Sequence, residues 1–186
     1  MILLYIIQIS KFFISICSFG SMNNSMLLEA VKNFGSPLYI YDSNKIKKQY
    51  ERLISSFSAV KQLQINYAVK ALSNISILKY IINLGSGIDA VSIQEVQLAL
   101  KCGIKPTKII YTPNGVSMDE MKKVSELGVK INIDNLSVLE DFGNKNPKIP
   151  ICIRINPHIM AGGNSKISVG HIDSKFGISI HQIPHL

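Results

Sequence analysis

The stretch QINYAVKALSNISILKYIINLGSGIDAVSIQEVQLALKCG, residues 64–103, carries the pattern that decides the fold. It opens with an apolar run that ends at Lys70 and continues into a helix-like segment over residues 76–84. The order then repeats, with an apolar run over residues 87–91 and an amphipathic segment over 93–102. Strands and helices that alternate through short connections are typical of a parallel sheet. The stretch therefore predicts two successive βα units.

The same alternation extends on both sides of this stretch. Upstream, a helix, a strand and a second helix are predicted over residues 26–33, 38–41 and 43–57. Downstream, strands are predicted over residues 109–111, 130–133 and 151–155, separated by helices over 118–127 and 136–142. In a parallel barrel the carboxyl ends of the strands meet at one mouth, where active sites lie.

The strand count predicts an α/β fold with an incomplete barrel. Five barrel-like strands fall between residues 64 and 155, whereas a closed (β/α)8 barrel needs eight strands and about 250 residues. About five of the eight βα units are therefore expected. A doubly wound sheet would fit the alternation too, but no GxGxxG motif follows the first strand, which disfavours a dinucleotide-binding fold.

Composition indicates a folded domain without a nucleic-acid partner. The chain has 186 residues, of which 47% are hydrophobic and 17% are charged, which suits a globular core rather than a disordered segment. The net charge of +8 would attract anions. However, the lysines are scattered, and the densest cluster, at Lys45, Lys47 and Lys48, has no aromatic platform or RNA-binding motif beside it.

The cysteines indicate neither a disulfide framework nor a zinc site. Cys17, Cys102 and Cys152 are far apart and form no CxxC pair. Cys102 falls in a helical pattern and Cys152 in a strand, so both are predicted to be small core residues. A reducing, cytoplasmic location is expected.

The first 25 residues are set apart from the globular pattern. Residues 1–20 are strongly apolar and approach the ~20 residues that span a membrane, but Lys11 interrupts them and no basic residue precedes them as in a secretory signal. A mis-assigned start upstream of Met22 or Met26, a real leader or anchor, and folded structure all fit. We predict a boundary between residues 25 and 26, with a barrel domain over 26–186 and no membrane partner.

Lys70 is the first candidate for chemistry. A lysine amine can form a Schiff base with an aldehyde when its neutral form is accessible, and partial desolvation at a strand end favours that form. A lysine in this position is also commonly just solvated. Lys70 alone therefore leaves both interpretations open.

Three further charged residues lie near predicted strand ends. Asp89, in the second barrel strand, could position the lysine or its proton. Glu95 follows Ser92 by three residues, so helix capping explains it as well as chemistry does. Arg154 lies in a strand predicted to be buried, where it needs an anionic or acceptor partner; a structural ion pair and an anion site both satisfy that need.

Two other features predict no site. The Gly-rich segment AGGNSKISVG, residues 161–170, lacks the Walker spacing of a phosphate loop and is predicted to be a flexible loop over the barrel mouth. His181 and His185 stand four residues apart, but Pro184 lies between them and no HExxH motif is present. No metal site is predicted.

Six segments together resemble the fold-type III PLP-dependent decarboxylases, the family that acts on ornithine, diaminopimelate and arginine. They follow the order of the family from residue 26 to the end of the chain. The segments are SPLYIYD (36–42), YAVKALSN (67–74), LGSGIDAVSIQE (84–95), IIYTPNGVS (109–117), INIDN (131–135) and RINPHIMAGGNSKISVGHIDSKFGIS (154–179). The second resembles the YAVKAN cofactor-lysine motif, the third GxGxDxVSxGE, and the last the RxNP…SKFG segment of the diaminopimelate branch.

The resemblance implies an alanine-racemase-like barrel followed by a C-terminal β domain, of which this chain would hold only the N-terminal part of the barrel. Lys70 would form a Schiff base with pyridoxal 5'-phosphate (PLP). Asp89 and Glu95 would support the lysine and the cofactor environment, and Arg154 would lie near the cofactor ring. The implied reaction is decarboxylation of meso-2,6-diaminopimelate to L-lysine and CO₂, in a homodimer.

Departures from the family pattern leave alternatives open. Leu72 stands where the family usually has Asn, and Gln94 where it usually has Gly. The ring-stacking histidine, the glycine phosphate loop and the acid facing the pyridine nitrogen would lie beyond Leu186, so this chain alone is expected to be inactive. The alternatives are a non-catalytic PLP-binding barrel protein, an inactive remnant, or an enzyme for ornithine, arginine or carboxynorspermidine.

Overall fold

The structure, a computed structural model, describes residues 2–7, 16–19, 23–159, 170 and 174–185. The chain divides into two compact units. The first runs to Tyr67 and also includes Leu72–Ser86, and the second consists of Ala68–Ala71 and Gly87–Leu186. The Gly-rich segment over residues 161–169 and much of residues 1–22 lie outside the described part.

The first unit combines an antiparallel sheet with three helices. Its strands are β1 (Ile2–Ile7), β2 (Ile16–Phe19) and β3 (Tyr39–Asp42), in the order β2-β1-β3. Its helices are α1 (Asn24–Phe34), α2 (Ser43–Ser56) and α3 (Ile75–Asn83). Buried Ile77 and Ile81 of α3 pack against half-buried Tyr41, Ile46 and Tyr67. The boundary between residues 25 and 26 stays a prediction.

The predicted parallel sheet belongs mainly to the second unit, which includes Ala68 at the end of its first strand. Its strands follow the order β4-β5-β6-β7-β8. They are β4 (Asn66–Ala68), β5 (Gly87–Ala90), β6 (Ile109–Tyr111), β7 (Lys130–Ile133) and β8 (Ile151–Ile153), and the helices between them are α4 (Ile93–Lys101), α5 (Met118–Glu126) and α6 (Leu136–Lys145). The α/β class and the five-stranded sheet are therefore confirmed.

Alternation along the strands separates an apolar face from a more polar one. In β6, Ile109 and Tyr111 are fully buried, and Ile110 between them is only half-buried. The register pairs Asp89 of β5 with Ile110, so both side chains belong to the half-buried face. The buried face packs against the helices, since α4 contacts β5 and β6 while α5 contacts β7. Asp89 thus lies on the face opposite the helical layer.

The segment around Arg154 differs from its prediction. A single buried strand over 151–155 was expected, but β8 ends at Ile153, and a separate strand β9 (Ile155–Asn156) pairs in parallel with β10 (Ile178–Ser179). Arg154 is half-buried, and Cys152 is exposed rather than a core residue. The register pairs Cys152 with Asn132, whose side chain is only half-buried. β8 is the last strand in the described sheet, and Ile153 is also 40% exposed, so neither face of this segment is fully covered.

Side-chain caps explain where the helices begin. Each of the six described α-helices follows a residue whose side-chain oxygen accepts a backbone N–H of the first turn, as is typical of N-caps. The caps are Asn23, Asp42, Asn74, Ser92, Ser117 and Asn135. Among the described helices, none has the length and apolar character needed to cross a membrane.

Candidate active site

Lys70 lies just beyond the first strand of the parallel sheet. β4 ends at Ala68, and Lys70 sits in the single 3₁₀ turn Val69–Ala71 that follows, rather than in the strand itself. Val69 is fully buried and anchors the turn, while the Lys70 side chain is exposed. The partial desolvation expected for this lysine is therefore not found. No described acidic residue forms an ion pair with the Lys70 amine.

Asp89 lies on the strand next to this turn. The turn Val69–Ala71 contacts β5, which carries Asp89. The Asp89 carboxylate accepts a hydrogen bond from the Thr112 hydroxyl, with 2.9 Å between the two oxygens. The Thr112 amide also donates to the carbonyl of Ala90 at 2.8 Å, which continues the sheet beyond β6. Thr112 therefore holds the carboxylate from the neighbouring strand, a contact that the sequence did not reveal.

Glu95 lies in the first turn of α4 and completes the cap that Ser92 provides. Its amide donates to the Ser92 hydroxyl at 3.3 Å, and its carboxylate oxygen Oε2 accepts the amide of Val91 at 2.8 Å. The reciprocal arrangement is a capping box shifted by one residue, because the carboxylate reaches Val91 rather than Ser92. The capping interpretation of Glu95 is thus confirmed. A role toward a cofactor stays a prediction.

Glu120 joins three elements, and sequence reasoning missed it. Its oxygen Oε1 accepts the Tyr111 hydroxyl at 2.7 Å and the amide of Ile93 at 3.0 Å. Its own amide donates to the Ser117 hydroxyl at 3.2 Å. The S-x-x-E spacing of Ser117 and Glu120 is the available signal, since it matches that of Ser92 and Glu95. Burial, together with the hydrogen bond to Glu120 and its negative charge, raises the pKa of the Tyr111 hydroxyl far above its ordinary value.

Arg154 contacts an aromatic ring. Its guanidinium carbon lies 4.6 Å from the centroid of the Phe176 ring, a cation–π distance. Among the described residues, no carboxylate forms an ion pair with Arg154. The structural ion pair considered for this residue is therefore not formed within the described part of the chain.

A polar cavity opens near the carboxyl ends of the parallel strands. It measures about 470 Å³ and is lined mainly by residues after β7 and by residues preceding or within β10, including Asp134, Ser137, Ser174 and Lys175. Asp134 accepts a hydrogen bond from the Asn114 side chain at 3.2 Å. The cavity thus lies at the carboxyl end of β7, the position expected for ligand binding in parallel α/β folds.

The two histidine rings that contact each other are not the pair that the sequence spacing singled out. The rings of His158 and His181 meet edge to face with 5.2 Å between their centroids. His158 has a left-handed backbone with φ of 56°, and its buried Nδ1 has no hydrogen-bond partner among the described residues. Within the described part of the chain, no group of three or more potential metal ligands is assembled.

The structure brings some of the predicted residues together and leaves others apart. The turn of Lys70 contacts the strand of Asp89, and Glu95 lies in the first turn of the helix that follows this strand. Arg154 follows β8, at the other edge of the sheet. Four strand spacings separate β4 from β8, about 19 Å along the sheet. Lys70 and Arg154 could therefore contact the same ligand only if the sheet curves and brings its two edge strands closer together.

The fold and the site define a class, a parallel α/β domain with an exposed amine just past its first parallel strand. Residues 43–186 match the family described as pyridoxal-dependent decarboxylase, pyridoxal binding domain. The chain belongs to this family, and the cofactor of the family is PLP.

Curated relatives and solved structures agree with the family match. The chain is 36% identical over 161 residues to diaminopimelate decarboxylase of Methanothermobacter thermautotrophicus, covering 86% of this chain and 38% of the relative. It is 41% identical over 155 residues to the enzyme of Helicobacter pylori strain J99, with 81% and 38% covered. The H. pylori enzyme solved with L-lysine has 37% identity and a TM-score of 0.68, with 78% and 38% covered. The chain thus spans about 38% of the length of these relatives.

Proposed function

We propose that this chain supplies the cofactor-lysine part of a PLP-dependent decarboxylase that converts meso-2,6-diaminopimelate to L-lysine and CO₂. The observation that carries the proposal is the position of Lys70. It is an exposed lysine in the turn directly after the first parallel strand, and no described acid forms an ion pair with it. An amine in that state is accessible to an aldehyde.

The residues at the strand ends fit PLP by their chemistry. Lys70 would hold the aldehyde carbon of the cofactor, and Arg154, with no described acid partner, would face an anionic group of the cofactor or substrate. Asp89 contributes a negative charge that Thr112 holds in place. Glu95 would act by fixing the start of α4, through its contact with Val91. When bound, PLP supplies the electron sink that stabilises the carbanion left by loss of CO₂.

The relatives support the choice of substrate. Eight curated relatives, with 31% to 41% identity to the chain, are named diaminopimelate decarboxylases. Two solved relatives, from H. pylori and M. jannaschii, hold L-lysine. The M. jannaschii structure has 26% identity, a TM-score of 0.72, and covers 84% of this chain and 38% of its own. We further propose a cytoplasmic homodimer as the working form of the protein that contains this chain.

Borohydride trapping tests the role of Lys70. The protein that contains this chain is incubated with PLP, reduced with borohydride and digested, and the labelled peptide is identified by mass spectrometry. We expect the label on Lys70 and its loss in Lys70→Ala. Lys130→Ala is the matched control, because Lys130 is an exposed lysine at the start of a parallel strand rather than just after the end of one. A label on another lysine, or no label, would overturn the proposal.

Substrate competition tests the reaction. The same protein is assayed for CO₂ release from meso-diaminopimelate, ornithine, arginine and carboxynorspermidine at equal concentrations. We expect the first to be turned over with the highest kcat/KM. Preference for another of the four would move the chain to a different branch of the family. Labelling of Lys70 without CO₂ release from any of them would indicate a non-catalytic PLP-binding protein.

A further inference from the structure

We propose that Phe176 is a positioning residue for Arg154, an inference that rests on the proposed function for the role of Arg154. The guanidinium carbon of Arg154 lies 4.6 Å from the centre of the Phe176 ring, and both side chains are half-buried. A guanidinium held over an aromatic face keeps its N–H donors at the edge of the stack. The ring therefore restricts Arg154 without consuming the donors that an anion would use.

The backbone on both sides of this contact is fixed by the sheet. The Arg154 amide donates to the carbonyl of Ile133 at 2.8 Å, and the carbonyl of Arg154 accepts the amide of Ile178 at 2.8 Å. Ile178 is 2% exposed, so the strand that carries this amide is anchored in the core. Two strands that are distant in the sequence thus hold the Arg154 backbone, and Phe176 lies two residues before the second of them.

Gly177 makes the approach of Phe176 possible. Its φ is 84°, in the left-handed region that L side chains rarely adopt. A Cβ at this position would lie 2.8 Å from the backbone nitrogen of Asn156 and 3.0 Å from the carbonyl carbon of Ile155. The backbone of residues 176–178 can therefore lie directly against β9 only because residue 177 has no side chain. This close approach sets the position of Phe176 relative to Arg154.

A second cation uses the same ring. The Lys175 ammonium lies 5.2 Å from the Phe176 centroid, and its side chain is exposed. Lys175 also lines the cavity after β7. Two positive groups gathered by one ring favour an anionic ligand at this end of the sheet. Of the two, Arg154 is the more buried and lies closer to the ring, so it is the group that Phe176 orients.

Arginine side-chain NMR tests the contact without any cofactor. In the cofactor-free protein, we expect the Nε–H proton of Arg154 to be shifted upfield by the ring current of Phe176. The shift should disappear in Phe176→Leu, which keeps apolar bulk, and persist in Phe176→Tyr, which keeps the ring. A wild-type resonance at the position of an exposed arginine would overturn the inference, and this result does not depend on whether Phe176→Leu folds.

PLP affinity tests what the contact does. We expect Phe176→Leu to weaken PLP binding by about 3- to 30-fold, the range of a partly desolvated cation–π contact. Arg154→Gln should weaken PLP binding at least as much, and the double variant no further, because both changes remove one unit. Phe176→Tyr should restore affinity, and Lys175→Gln should change it less than twofold.

The outcomes separate this inference from the proposed function. Additive losses in the double variant, or a Phe176→Leu affinity within twofold of wild type, would overturn the positioning role. An Arg154→Gln protein that binds PLP normally would overturn it as well. If Lys70 is not labelled by borohydride but the ring-current shift of Arg154 is present, the proposed function fails while the positioning of Arg154 by Phe176 stands.

Discussion

The Thr112 hydroxyl donates to the Asp89 carboxylate across neighbouring parallel strands, with 2.9 Å between the two oxygens. Asp89 is half-buried and forms no ion pair with a described cation, so this hydrogen bond determines which way one carboxylate oxygen points. A hydrogen bond to a charged group stabilises more than one between neutral groups. The contact therefore links the stability of the sheet to the geometry of the candidate site.

Removing this hydroxyl should destabilise the protein measurably. We expect Thr112→Val to lower the free energy of unfolding in urea by about 1 to 2 kcal/mol, since Asp89 would lose its donor. Thr112→Ser keeps the hydroxyl and should lose less than half of that amount. In the background of Asp89→Ala, the Thr112→Val change should have little further effect. Equal effects of Thr112→Val with and without Asp89 would contradict the link between the two residues.

High pH should destabilise the protein, in part because the Tyr111 hydroxyl ionises more readily in the unfolded state than in the folded state. Burial and the carboxylate of Glu120 raise the pKa of the Tyr111 hydroxyl in the folded state above its value of 10.0 in the unfolded chain. Above pH 10, the unfolded state therefore loses a proton that the folded state keeps, and the free energy of unfolding falls as pH rises. Below pH 10 the stabilisation is fully present.

Tyr111→Phe should flatten this alkaline decline. The variant has no hydroxyl to ionise, so its free energy of unfolding should fall less steeply between pH 10 and 11.5 in a urea titration. It should also be less stable at pH 7 by about 1 to 3 kcal/mol, because Glu120 loses a donor. Burial also raises the pKa of Tyr50 and Tyr67, so some decline should remain. Tyr39→Phe, which removes the hydroxyl of a side chain that is 59% exposed, is the control and should stay close to wild type in stability at pH 7.

Glu95 allows its two interpretations to be separated. Glu95→Ala should lower the free energy of unfolding by about 0.5 to 2 kcal/mol, since the amide of Val91 loses its acceptor. Glu95→Gln retains an acceptor oxygen and should stay close to wild type in stability. If Glu95 only caps the helix, PLP affinity in Glu95→Gln will also be close to wild type. A large loss of PLP affinity with unchanged stability would show that its charge acts on the cofactor.

Gly177→Ala should disrupt the segment that carries Phe176. The added methyl would lie 2.8 Å from a backbone nitrogen, and the residue would have to hold a φ of 84°. Strain of this kind costs about 1 to 3 kcal/mol, with the steric conflict in addition. We expect a clear drop in the thermal unfolding midpoint. Gly143→Ala is the control, because a Cβ there meets nothing within 4 Å and the helix favours alanine; a drop of equal size in both variants would contradict the steric argument.

Local patterns predicted most of the fold. The apolar runs that precede Lys70 and contain Asp89 correspond to neighbouring strands, and the Ser–x–x–Glu spacing at Ser92 and Glu95 corresponds to the cap of α4. These features depend on residues a few positions apart, which a sequence displays directly. The six segments also resemble the PLP-dependent decarboxylases, the family that matches residues 43–186.

Contacts between distant segments could not be read in the same way. The run around Arg154 has the composition of a buried strand, but burial depends on which neighbours cover each face of the sheet. The partner of Glu120 at Ile93 is 27 residues away, and Phe176 meets Arg154 only because of the backbone at Gly177. Such pairs follow from the packing of whole strands, so no spacing rule indicates them.

The carboxylate of Glu120 should also couple the unfolding of α4 to that of α5. Ile93 opens α4, yet the acceptor for its amide belongs to α5 in the next βα unit. Hydrogen exchange at the Ile93 amide should therefore report on the opening of α5 rather than on fraying of its own helix. Losing α5 would also expose the first turn of α4. The two βα units that contain α4 and α5 should therefore unfold cooperatively rather than one after the other.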